Sequence, residues 1–169
     1  MTWIASNLWD ILTRPLKAAR PEVTPPAPSP PPKRPMQGRY DALVAEMKLA
    51  HGVRVRKWRS SMTGCAWEVH YSHGGLSRLI EAPYPRGPMS CAIFLHEIGH
   101  HAIGFGTYRP RCLEEFHAWR WALEAMQERG FNVTANVRKR MADSLEYAVA
   151  KAKRRGLRQV SAELAGFDR

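Results

Sequence analysis

The run MSCAIFLHEIGHHAIGF, residues 89–105, is apolar enough to form a buried helix, yet its middle carries His96, Glu97, His100 and His101. Burying ionisable groups is costly unless they are paired or bound to a metal. On a helix, positions four apart lie on one face, one turn from each other. His96 and His100 therefore present two imidazoles to the same point, a spacing that suits one zinc ion. Glu97 sits beside the first histidine, where it can orient a water on that ion and take its proton. Zinc lowers the pKa of such a water toward about 7. A metal supplies the partner that histidines in an apolar helix need.

A catalytic zinc wants a third protein ligand and an open fourth position. The extended pattern HExxHxxGxxH is not met, because Ile103 stands at the glycine position and Gly106 at the third histidine. No histidine occurs from 102 to 116, and the next candidates are Glu114, Glu115 and His117 in LEEFHAW. Two packed helices can bring facing side chains to one ion, so a carboxylate from the following helix is a reasonable ligand.

Working outward, RYDALVAEMKLAHG (39–52) predicts a helix ending at Gly52, with Leu43, Val44 and Met47 on one side. VRVRKWRS (53–60), CAWEVHYS (65–72) and LSRLIEA (76–82) read as strands, with the HGG turn at 73–75 joining the last two. PYPRGP (83–88) breaks the pattern before the apolar helix. TYRPRC (107–112) is a loop, and Pro110 suits an early position of the helix RCLEEFHAWRWALEAMQERG (111–130), closed by Gly130. TANVRKRMADSLEYAVAKAKRRG (134–156) is the last long helix, with Val137, Met141, Leu145, Ala148, Val149 and Ala152 on one face. Helix, three strands and three helices make an α+β fold, a small sheet of about three strands packed on helices.

Upstream, MTWIASNLWDILTRPLKAAR predicts an amphipathic segment over 1–20, and the proline-rich RPEVTPPAPSPPPKRP (20–35) predicts an extended linker, set at 21–36. The compact domain then runs over 37–169. Hydrophobic residues make up 44% of the chain, which excludes a wholly disordered protein. No stretch is long and apolar enough for a transmembrane helix. Three cysteines without CxxC spacing or a secretory signal pattern point away from a disulfide framework, toward a reducing, cytoplasmic compartment. The formal net charge is +11. Arg138, Lys139, Arg140, Lys151, Lys153, Arg154 and Arg155 crowd the last helix, and Arg54, Arg56, Lys57 and Arg59 surround Trp58. The basic C-terminal helix is thus a candidate nucleic-acid contact through phosphates, against the alternative of a solvated face.

HEIGHH followed by EEFHAWRWA resembles the minimal gluzincin pattern, HExxH and then E-x-x-A on the next helix. The element order over roughly residues 40–130 is similar to that of the small cytoplasmic zincins of the ImmA/IrrE type, and EEFHA to the metallopeptidase domain of ArdC-like proteins of mobile elements. The resemblance implies a zincin-like fold with HExxH on the active-site helix. It implies a zinc-dependent peptidase acting on a protein or peptide substrate, Glu97 as general base on zinc-bound water, and His96, His100 and Glu115 as the Zn²⁺ ligands. Glu115 is the glutamate three residues before Ala118. The chain departs from the pattern at Trp119, often an acid or asparagine, and at His117, which keeps His117 and Glu114 as alternative ligands. The third strand, Leu76–Ala82, is expected to align substrate as an added strand. Tyr108, Arg109 and Arg111 are candidates for stabilising an oxyanion, and His101 for touching substrate or capping a polar pocket. The alternative function is a basic nucleic-acid-binding or phage-type interaction protein with a structural zinc and no catalysis.

Overall fold

The computed structural model describes residues 35–168. The segment 1–20 and most of the linker 21–36 lie outside the described residues. The linker's last two positions belong to the domain instead, because helix α1 spans Pro35–His51. A proline lacks the N–H that the first helical turn would leave unpaired, so Pro35 opens the helix rather than ending a linker. Tyr40, Leu43, Val44 and Met47 follow the helical repeat and are all buried. Gly52, at φ 61°, ends the helix in a backbone region that side chains disfavour.

Strands β1 (Val53–Arg59), β2 (Cys65–His70) and β3 (Leu76–Pro83) form one mixed sheet in the order β1-β3-β2. β2 and β3 are an antiparallel hairpin, with Cys65 opposite Glu81 and His70 opposite Leu76. β1 pairs in parallel with the other side of β3, Val53 opposite Arg78. β3 is therefore central, and both its hydrogen-bonding edges are occupied. That corrects the expectation that it takes an added substrate strand. The physical reason lies in composition. Ile80 and Ala82 are fully buried, whereas β1 exposes Arg54, Arg56 and Lys57, the charged side chains that protect a sheet edge. A register shift between Val55 and Lys57 accompanies the approach of Arg56 and Arg59 to Glu81, at 2.9 and 3.0 Å. Two guanidiniums thus offset one buried carboxylate.

Helix α2 (Pro88–Ile103) packs across β3 and is buried continuously from Ser90 to His101. Ser90 Oγ accepts the Arg86 and Gly87 N–H groups at 2.9 and 3.2 Å and so stabilises its start. Helix α3 (Arg111–Glu128) lies against α2. Gly99 makes this approach close, since a Cβ there would stand 2.7 Å from the carbonyl oxygen of Ala118. Helix α4 (Ala135–Arg154) is capped by Thr134, whose Oγ1 accepts the Val137 N–H at 3.3 Å. Val137, Leu145 and Val149 bury its apolar stripe, as the sequence predicts. A 3-10 helix at Ala162–Phe167, which the sequence reading does not include, buries Leu164 completely. No described helix is long and apolar enough to cross a membrane.

Candidate metal centre

Neighbouring turns of α2 carry His96 and His100, and the facing turn of α3 carries Glu115. Their ligand atoms all lie within 4.8 Å of one another, a group that can hold a metal ion. Glu115 Oε2 is 3.3 Å from His96 Nε2 and 3.5 Å from His100 Nε2. Ligands about 2.0–2.1 Å from a tetrahedral zinc stand roughly 3.3 Å apart. The two carboxylate-to-imidazole spacings match that distance.

Contacts behind the three side chains fix their orientation. His100 Nδ1 lies 3.2 Å from Glu114 Oε1, so an Nδ1–H donated there turns Nε2 toward Glu115. Glu114 Oε2 accepts the Gly106 N–H at 3.0 Å. Arg111 holds both acids, at 3.1 Å from Glu114 Oε1 and 2.9 Å from Glu115 Oε1. The His96 ring stacks on Trp119, with centroids 4.4 Å apart. Adjacent helical residues point about 100° apart, which is why Glu114 meets the far side of His100 while Glu115 meets the near side of both histidines.

Burial pushes His96 down to about 4, against the pull of Glu115, so its imidazole is neutral. Burial acts the same way on His100, but hydrogen bonds to Glu114 and Glu115 outweigh it and push the group up to about 9. Burial would raise Glu115, yet the bonds from both histidines hold it well below the usual carboxylate range. Without a metal the cluster therefore retains a proton among groups that all face one point. A cation at that point satisfies the same negative potential. Burial raises Glu97 to about 7.

Glu97 points into a cleft of about 900 Å³ that is also lined by His96 and Glu115. Gly64, just before β2, lies over it, and a Cβ on Gly64 would come within 2.6 Å of Glu97 Cγ. The other sequence candidates lie elsewhere. His117 stacks on Tyr108 with centroids 3.7 Å apart and approaches Glu163 at 3.7 Å, outside the His96–His100–Glu115 group. His101 shares a hydrogen bond with the Leu79 carbonyl at 3.1 Å and ties α2 to β3, away from the residues that line the cleft. Of Tyr108, Arg109 and Arg111, the cleft is lined by Arg111 alone. Cys91 and Cys112 are buried core residues, and burial pushes the Cys91 thiol up to about 12. His70 and His73 are exposed on the hairpin.

The far wall of the cleft is α4, through Arg140, Ser144, Tyr147 and Lys151, together with Arg155 just past its end. The sequence reading treats this helix as separate from the site. The available signal was a polar stripe at spacings of three and four running beside the apolar one. Glu114, weighed only as a ligand, is the partner of His100 instead. No family model, curated protein or solved structure matches the chain.

Proposed function

We propose that this protein is a zinc-dependent metallopeptidase of the minimal gluzincin kind, hydrolysing a peptide bond in a protein substrate. The observation that carries the reading is the convergence of His96, His100 and Glu115 on one point at the floor of a cleft, with Glu97 beside it. His96, His100 and Glu115 would hold the ion. When bound, zinc supplies Lewis acidity, which lowers the pKa of water and polarises a carbonyl.

The chain's own groups do the rest. Glu97, with a proton affinity raised by burial toward neutrality, accepts the proton of the attacking water. As the carbon–oxygen bond forms and the carbon–nitrogen bond breaks, it passes that proton to the leaving amine. Arg111 keeps Glu115 turned toward the histidines. Its position on the cleft wall also lets it offset negative charge developing on the substrate oxygen. Since β3 is closed on both sides, an extended substrate adds at the free edge of β2, which begins directly after Thr63 and Gly64 on the cleft wall.

The opening into a large cleft favours catalysis over a purely structural ion, because structural zinc sites are closed by four protein ligands. Three free cysteines support a reducing, cytoplasmic setting. The test is metal analysis of the purified chain together with proteomics after expression in a bacterial host. Wild type and Glu97→Gln should both carry about one zinc, and only wild type should deplete a host protein, since loss of the base typically costs about 10²–10⁴-fold in rate. Identical proteomes for the two, with zinc present in both, would sink the peptidase reading.

A further inference from the structure

The cleft has two unlike walls. One holds the metal cluster and Glu97, and the other is the inner face of α4. Arg140 and Lys151 on that face and Arg155 just past the helix end all line the cleft, but their charges are committed differently. Arg140 donates to the Met62 carbonyl at 3.2 Å and ties the loop before β2 to the helix. Asp143, the acid that α4 contributes to the lining, is taken by Lys139 at 2.8 Å. Lys151 and Arg155 are exposed and have no carboxylate partner among the described residues. The Lys151 ammonium stands 5.8 Å over the ring of Tyr147, itself 63% exposed.

We propose that Lys151 and Arg155 read acidic side chains of the polypeptide substrate, so that the cleft selects peptides carrying Asp or Glu near the scissile bond. The proposal rests on the peptidase reading and names its substrate class. Two cations without internal partners, facing a cleft, are complementary to carboxylates entering it. A polypeptide suits the whole cleft better than a nucleic acid does. A phosphate backbone carries a charge on every nucleotide, and it would meet Glu97, Glu115 and Asp143 as well as the cations. A peptide keeps its neutral backbone beside Glu97 and places charge only where a side chain reaches α4.

The test uses the full chain, zinc-loaded and carrying Glu97→Gln as a non-cleaving trap, against a randomised peptide library. Captured peptides should be enriched in Asp and Glu, and a Glu-containing peptide should bind about tenfold more tightly than its Gln counterpart, the sum of two partly exposed ion pairs. Adding K151E and R155E should erase that ratio while zinc content stays the same. Equal binding of the Glu and Gln peptides, or a ratio that survives K151E/R155E, overturns the proposal. An oligonucleotide of equal charge that binds more tightly than the acidic peptide also overturns it, and assigns the wall to nucleic acid. Cleavage by the wild type is read separately. Acid-selective capture without Glu97-dependent cleavage removes the peptidase reading, whereas cleavage without acid preference removes only this one.

Discussion

Glu114→Ala should weaken zinc binding without removing a ligand. The carboxylate it deletes is 3% exposed and makes three contacts, at 3.2 Å to His100 Nδ1, 3.0 Å to the Gly106 N–H and 3.1 Å to Arg111. Gly106 is exposed and can turn to water. His100 is 2% exposed and cannot. Leaving one buried donor without a partner costs about 1–3 kcal/mol. Metal-free His100 can instead carry its proton on Nε2, facing Glu115, whereas zinc at Nε2 forces it to Nδ1. The cost therefore falls on the bound state and, at 1.4 kcal/mol per factor of ten, is a loss of roughly 5- to 150-fold in affinity. Removing a group that orients a metal-binding histidine typically costs about 10–100-fold, so two independent routes agree. Glu114→Gln keeps an oxygen for His100 Nδ1–H and should recover part of the loss. The assay is competition for zinc against a chromophoric chelator, with circular dichroism to verify the fold. A folded Glu114→Ala protein whose affinity stays within about twofold of wild type refutes the reasoning, since the buried bond predicts at least about fivefold. Loss as complete as in His100→Ala refutes it in the other direction, because Glu114 would then be a ligand itself.

Glu115→Ala should lose more zinc than Glu114→Ala, whereas His117→Ala should leave zinc content unchanged; a larger effect at His117 in the same chelator competition would transfer the third ligand there. Gly64→Ala should retain zinc but lose cleavage of any substrate identified by the proteomic comparison, because the new methyl group occupies the space of the Glu97 side chain. Full activity in a Gly64→Ala enzyme would show that Glu97 does not need its present position.

The helices were legible because each carries a period and a stop. Gly52, Gly130 and Gly156 end three of them at φ 61°, 66° and 96°, where other residues are disfavoured. The pairing of His96 with His100 was legible for a similar reason, since both sit on one element of known pitch. The choice among Glu114, Glu115 and His117 depends on how α3 is rotated against α2, and no spacing within α3 encodes that. The sheet order was hidden likewise. The β2–β3 hairpin is a local pairing with a turn signal, but the parallel β1–β3 pairing joins segments whose contact no local residue announces. The excess of bases on α4 reads as a solvated face until tertiary packing turns Lys151 and Arg155 toward the cleft. The short turn around Leu164 has too few residues to show a period at all.

The near-contact of Gly99 with Ala118 has a consequence for heating. The stop between the two helices is backbone against backbone, so it has no rotamers to populate as temperature rises. Side chains at the rim of the cleft can become mobile while the triangle of His96, His100 and Glu115 keeps its size. The triangle opens only when α2 and α3 part, and that requires exposing Ala118 and Trp119, which are buried where they meet Gly99 and His96. For the proposed zinc site, metal loss on warming and the collapse of the core should then be one transition, with one midpoint, rather than an early leak followed by a later melt.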